Sequence, residues 1–312
     1  MVRHRHHALI ALPLALLAPA APAAPAREKP RLATAASPKC ALPRGWDAVA
    51  ARKPRYVVFG EVHGTEQAPA FVGDIACALA ARGARLLVAI EHDAASDAAL
   101  QRAWNGPTDK LKTILAEMNW ADRNDGVGSV AMFALVRRLH QLKLAGRSID
   151  IVAYSGIKDD DQRRRFAALP GQGPHDAAQA ENIERAAARG DDLVLVLTGN
   201  VHARKQPVTF GGVTFEPMAL RLARTGTLVS LDMRTAGGTA WTCDAAPSSA
   251  VQPSPADAIS CGAHDLGPSA MTDPTPFIDL RDAADAAGAP RYDGVFYLGK
   301  VRASPPAVKA AR

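Results

Sequence analysis

Glutamate and histidine side chains follow three apolar segments of this sequence, and both residue types can transfer protons. Glu61 and His63 follow one segment, Glu91 follows the next, and His202 comes shortly after a later one. Glu61 and His63 are two residues apart, so their side chains point the same way if the chain there is extended. If the segments are strands of one parallel sheet, all four side chains meet beyond its carboxyl edge, where open α/β sheets bind ligands.

Two kinds of chemistry suit these four residues. In general acid–base catalysis, a carboxylate orients an imidazole, which takes a proton from a water molecule attacking a carbonyl group. Crowding of Glu61 against Glu91 would raise the pKa of one carboxyl, which could then act as an acid. In the second interpretation, His63, Glu91 and His202 bind a divalent metal such as zinc, manganese or iron. Their spacing does not match the helical metal-protease motif, so the metal interpretation is the less specific one.

The apolar segments predict the elements that hold these residues. Each is short, rich in Val, Ile and Leu, and apolar on both faces, as is typical of strands in a parallel sheet covered on both sides. The predicted strands are residues 56–59, 86–90, 149–154, 193–197, 227–231 and 295–298.

Amphipathic segments between the strands predict helices over residues 68–81, 130–144 and 175–188, each followed by a glycine. Residues 94–119 predict an inserted helical hairpin. Repeated strand, helix and glycine is typical of βαβ units. We therefore predict an α/β fold, a three-layer α/β/α arrangement with a mostly parallel central sheet.

The two ends of the chain differ from its middle in composition. Residues 1–26 combine Arg3 and Arg5, a short apolar stretch and an Ala/Pro run, which is the pattern of a signal peptide. No other stretch is apolar for the ~18 residues that a membrane span needs. We expect a single domain over residues 27–303, a flexible tail over 304–312, no membrane span, and a periplasmic or secreted location.

The composition of the chain limits the classes of molecule that the protein is expected to bind. The net charge is only +6 over 312 residues, aromatic residues make up 5%, and no basic run is interleaved with aromatics. Nucleic-acid binding is therefore not expected, and a small-molecule ligand or substrate is. The oligomeric state is not predicted.

Export would permit disulfides between the four cysteines, which allow three pairings. We favour Cys243 with Cys261, which closes a Ser/Pro/Ala-rich loop, and Cys40 with Cys77. Cys77 alone could equally be a small buried thiol, because its neighbours in the predicted helix are apolar.

Three short motifs resemble one known superfamily. They are Gly60-Glu61-Val62-His63-Gly64, Glu91 at the end of the second strand, and Gly199-Asn200-Val201-His202-Ala203. Together they resemble the erythromycin esterases, the ChaN-like haem-binding lipoproteins and the Tiki/TraB proteins, over residues 55–205. The resemblance implies that Glu61, His63, Glu91 and His202 form a hydrolytic centre.

The resemblance also implies alternatives. ChaN-like relatives imply haem binding for iron uptake. Tyr154 ends the third strand and so can face the same crevice, which makes it the cofactor-binding candidate. Tiki-like relatives imply a metal-dependent peptidase, in agreement with the metal interpretation of His63, Glu91 and His202 given above. Our first expectation is a hydrolase of a small ester, lactone or amide; whether the cofactor is haem, a divalent metal or neither stays open.

Overall fold

The structure, a computed structural model, describes residues 40–190, 193–245, 259–281 and 291–308. The predicted signal peptide and residues 309–312 of the predicted tail lie outside these ranges. Helices run over α1 Trp46–Ala51, α2 Gln67–Ala81, α3 Asp97–Trp104, α4 Ile114–Glu117, α5 Val130–Leu144, α6 Asp160–Phe166, α7 Gly173–Ala187 and α8 Met218–Leu222. Strands run over β1 Tyr56–Glu61, β2 Leu86–Asp93, β3 Ile149–Ser155, β4 Leu193–Gly199, β5 Val208–Phe210, β6 Val213–Phe215, β7 Leu228–Arg234, β8 Thr239–Ala245, β9 Ile259–Asp265, β10 Phe277–Leu280 and β11 Gly294–Tyr297.

A seven-stranded sheet forms the centre, in the order β10-β11-β7-β1-β4-β2-β3. Every neighbouring pair is parallel except the antiparallel β10–β11 pair at one edge. The predicted α/β class and mostly parallel sheet are confirmed. The six predicted strands and three predicted helices are all present, with bounds that differ by at most a few residues.

Burial on both faces explains why the strands are continuously apolar. In β1, Val57 and Phe59 face one hydrophobic core, whereas Tyr56 and Val58 face another on the opposite side. Residues of α2 and α5 cover the first core, and residues of α7 and α8 cover the second. Burial of each such side chain contributes about 1.5–3 kcal/mol, so both faces help to fix the register.

The inserted segment after β2 is helical, as predicted. It contains α3, α4 and short 3-10 turns, and its apolar residues join the first core. The buried carboxylate of Asp97 accepts a hydrogen bond from the backbone N–H of Ala153 at 3.0 Å. Gln101 donates to the carbonyl of Ile151 at 2.8 Å, so the insertion is tied to β3.

Both favoured disulfides are present. Cys40–Cys77 joins the segment before α1 to α2. Cys243–Cys261 links β8 to β9, which form a two-stranded antiparallel ribbon beside the main sheet. In the ranges given above, no helix is long and apolar enough to cross a membrane.

The flexible tail was predicted to begin at residue 304, but residues 304–307 are held against the rest of the fold. Ser304 is buried, and its hydroxyl accepts a hydrogen bond from the N–H of Ala131 at 2.9 Å. The carbonyl of Pro305 accepts from Val130, and the N–H of Ala307 donates to Gly128. Residues 304–307 therefore supply acceptors and donors to the start of α5, which a composition rich in Pro and Ala did not reveal.

Candidate active site

The carboxyl ends of β1, β2 and β4 bring the four predicted residues together. Glu61 at the end of β1 is in register with Gly199 at the end of β4. Gly60 allows this closeness, because a Cβ atom there would lie 2.6 Å from the Cβ of Ala203 and 3.1 Å from the Cα of Asn200. The loop that carries His202 can therefore pass directly over the end of β1.

The four side chains and Asp176 form a linear array. His63 Nδ1 lies 3.0 Å from Glu61 Oε1, and His63 Nε2 lies 3.6 Å from Glu91 Oε2. On the other side, His202 Nε2 lies 3.7 Å from Glu91 Oε1, and His202 Nδ1 lies 2.8 Å from Asp176 Oδ1. Each imidazole thus has its own carboxylate on Nδ1, and both present Nε2 to the shared Glu91.

Glu91 is held as an anion at the centre of this array. Its Oε2 accepts hydrogen bonds from the hydroxyl of Thr198 at 2.8 Å and from the N–H of Gly199 at 2.6 Å. Burial alone would raise its pKa, but His63 and His202, with those two hydrogen bonds, lower the pKa of Glu91 to about 2.

Both imidazoles have raised pKa values. Burial opposes the charge of His63, but Glu91 and Glu61 outweigh it and raise the pKa of His63 to about 9. Burial also opposes the charge of His202, yet Asp176 and Glu91 raise its pKa above the ordinary value. The pKa of Glu61 is itself raised, because burial outweighs the effect of His63.

Asp176 is the member of this array that the sequence analysis missed. It is fully buried on α7, where its Oδ1 also accepts from the N–H of Met218 at 2.8 Å. A signal existed in the sequence: Asp176, Gln179 and Asn182 are polar residues spaced by three on an otherwise Ala-rich helix, and all three are buried. Polar residues on the buried face of a helix need partners, so such a stripe indicates a site beneath it.

Tyr154, the expected haem-binding residue, lies in the hydrophobic interior. It is fully buried in the second core, and its hydroxyl donates to the carbonyl of Leu197 at 2.9 Å. Along β3, Tyr154 has the same parity as Val152, so both side chains pack in the core that α7 and α8 cover. His92 is also buried away from the array, stacked on Trp120 with ring centroids 4.2 Å apart.

His63, Glu91 and His202 are also the predicted metal ligands. Among the residues with described positions, no group of three or more His, Cys, Asp or Glu side chains is placed to hold a metal ion. The structure shows both imidazoles in contact with carboxylates, through Nδ1 to Glu61 or Asp176 and through Nε2 to Glu91.

A cavity of about 710 Å³ opens above His63 and His202. One wall is the β5–β6 hairpin, and another is the disulfide-linked ribbon of β8 and β9. The lining residues are Glu61, Val62, His63, Asp125, Gln172, Gly199, Asn200, Val201, His202, Arg204, Val208, Thr209, Phe210, Phe215, Thr242 and Cys243. Ionisable groups at the floor and mixed polar and apolar walls are typical of a small-molecule site.

Comparison with solved structures agrees with this fold. A histidine-to-asparagine mutant of an erythromycin esterase in its open conformation superimposes with a TM-score of 0.53 and 12% identity, covering 84% of this chain and 94% of that one. A protein from Bacillus cereus gives a TM-score of 0.52 and 10% identity, covering 82% of this chain and 91% of the other.

At these identities, the likeness shows that the chain has the erythromycin-esterase-like α/β fold. ChaN of Campylobacter jejuni, solved with cofacially bound haem, gives a TM-score of 0.37 at 13% identity over 61% of this chain and 86% of ChaN. That score is too low to support an inference about haem. No family model and no curated protein matches the sequence.

Proposed function

We propose that this protein is an exported hydrolase of a small ester, lactone or amide. The observation that carries the proposal is the array in which two histidines, each with a carboxylate on Nδ1, present Nε2 to a shared carboxylate at the floor of a cavity. The two disulfides support export, because disulfides persist in oxidising compartments.

The two histidines take different roles in this proposal. His63, with a pKa of about 9, keeps its proton at neutral pH. His202, whose Nδ1 pairs with the buried carboxylate of Asp176, is the base. Asp176 then holds the remaining proton on Nδ1, which leaves the Nε2 lone pair of His202 free to act as a base.

In the proposed reaction, His202 Nε2 takes a proton from water, and the resulting hydroxide attacks the carbonyl carbon of the substrate. Asp176 stabilises the imidazolium that forms. The cationic His63 stabilises the negative charge that develops on the carbonyl oxygen. As the intermediate collapses, the His202 imidazolium returns its proton to the leaving oxygen or nitrogen, which restores the starting state.

The test is a panel of esters, lactones and amides with the protein lacking residues 1–26, with and without a chelator. Hydrolysis that resists the chelator and has a bell-shaped pH profile supports the proposal. The low-pH limb should report the deprotonation of His202, and the high-pH limb should lie near pH 9, where His63 loses its proton. Activity that requires an added metal, or that keeps rising above pH 10, would contradict the assignment.

A haemin titration followed by visible absorbance tests the alternative expected from the resemblance. Saturable binding at one haem per chain, with a shifted Soret band that His63→Ala abolishes, would favour iron acquisition over hydrolysis. We expect no such band, because both imidazoles are engaged by carboxylates and Tyr154 is buried.

A further inference from the structure

Among the described residues, one cation in the cavity wall has no acidic side chain as an ion-pair partner. Arg204 lines the cavity two residues after His202. In the part of the chain whose positions are given, no carboxylate lies within ion-pair distance of its guanidinium. Burial raises the pKa of Asp232, and the charge of Arg204 lowers it in part. The carboxylate of Asp232, however, is bound by Arg234 at 2.8 Å.

The neighbouring cations, Lys205 and Arg123, each form an ion pair with an acidic side chain. Lys205 Nζ binds the carboxylate of Asp293 at 2.7 Å. Arg123, in the loop before α5, binds the cavity residue Asp125 at 2.9 Å. Among the described basic side chains of this region, Arg204 therefore lines the cavity with no acid within ion-pair distance.

The orientation of Arg204 is set by a hydrogen-bonded pair. Its Nε donates to the hydroxyl of Tyr292 at 3.4 Å, and that hydroxyl donates to the carbonyl of Asn200 at 2.8 Å. Tyr292 thus links Arg204 to the loop that carries His202. A guanidinium held by Nε can still offer its two terminal nitrogens to a carboxylate as a planar fork.

The β5–β6 hairpin contributes apolar side chains to the cavity wall. Phe210, at the tip of the β5–β6 hairpin, lines the cavity while 76% of its surface is exposed. Gly211 and Gly212, with φ of 57° and 79°, form the two-residue turn that displays it. Phe215 and Val208 on the same hairpin are buried beneath it. An exposed aromatic ring in a cavity wall gains contact area when an apolar ligand group covers it.

We propose that the substrate carries a carboxylate bound by Arg204 and an apolar group that packs on Phe210. This proposal rests on the hydrolase function above and names its substrate class. A carboxylate can accept two parallel hydrogen bonds from the planar guanidinium of Arg204.

The experiment is a calorimetric titration with 4-phenylbutyrate, which has both groups but no bond to hydrolyse. Uncharged 4-phenylbutanol and dianionic 3-phenylpropyl phosphate are the comparison ligands. We expect 4-phenylbutyrate to bind at least about tenfold more tightly than the alcohol. Arg204→Gln should remove this preference, Arg204→Lys should retain part of it, and Lys205→Gln should leave it intact, with all three variants checked by circular dichroism.

Equal affinities for the acid and the alcohol, or an equal loss in Arg204→Gln and Lys205→Gln, would overturn the proposal. Tighter binding of the phosphate would overturn the assignment of a carboxylate. Because the titration needs no turnover, its result is distinct from that of the substrate panel. A protein that shows the Arg204-dependent preference and hydrolyses nothing would refute the hydrolase and support the anion subsite.

Discussion

Replacing Glu91 with glutamine should lower the pKa of His63 from about 9 to about 6–7. Burial by itself disfavours the imidazolium, and the charge of Glu91 is the largest effect that raises the pKa. Glutamine keeps an oxygen that can accept from Gly199 and Thr198 but carries no charge. The variant therefore removes the charge from the array while preserving its hydrogen-bonded shape.

The magnitude follows from the 3.6 Å between His63 Nε2 and Glu91 Oε2. At an effective dielectric constant of about 20, two unit charges at this separation attract by about 4–5 kcal/mol. That corresponds to about three pKa units as an upper bound. Because the side chain of His63 is 22% exposed, solvent screens part of the attraction, so we expect a fall of two to three units.

The assay is NMR titration of the histidine ring signals, with the His63 resonance assigned by its absence in His63→Ala. Thr198→Val is the matched control, because it removes a hydrogen bond to Glu91 but leaves the charge. In that variant the pKa of His63 should stay close to 9. A His63 pKa that changes by less than half a unit in Glu91→Gln would refute the electrostatic account of the array.

Three further predictions concern Asp176, the Cys243–Cys261 disulfide and Glu91. Asp176→Asn should lower kcat by about 10²–10⁴-fold, because the imidazolium of His202 loses its charged partner; steady-state kinetics measures this. The double change Cys243→Ser with Cys261→Ser should reduce the free energy of unfolding by about 3 kcal/mol, given a sequence separation of 18, as measured by urea denaturation. The folded pKa of Glu91 lies below its ordinary value, so its stabilising contribution should be complete above pH 4.5 and vanish as the pH falls towards 2; Glu91→Gln should lack this dependence in urea titrations.

Most of the central sheet could be predicted from the sequence because its strands, apart from the edge strand β10, are largely buried on both faces. In β1, successive residues alternate between two hydrophobic cores, so every position must be apolar and the segment stands out. The β5–β6 hairpin and the β8–β9 ribbon leave no such pattern, because their residues are largely exposed or only partly buried. These elements wall the cavity, so its shape was not predictable.

The site was predictable where residues follow buried strands and was missed where a helix contributes. Glu61, Glu91 and His202 meet because parallel strands end at one edge of the sheet. Asp176 reaches the same point from α7, and no pattern of strands indicates which helical residue lies above the edge. Tyr154 lies in the core that α7 and α8 cover, because successive side chains of β3 alternate between the two faces of the sheet.

The most direct test of the hydrolytic centre compares His202→Ala with His264→Ala on a substrate that the panel has identified. His264 pairs with Asp244 at 2.8 Å on the β8–β9 ribbon, so its replacement also removes a histidine–carboxylate pair, but one outside the array. We predict that His202→Ala loses turnover by at least about 10²-fold with an unchanged circular dichroism spectrum, whereas His264→Ala retains it. Full activity in folded His202→Ala would contradict the central claim that this array performs the hydrolysis.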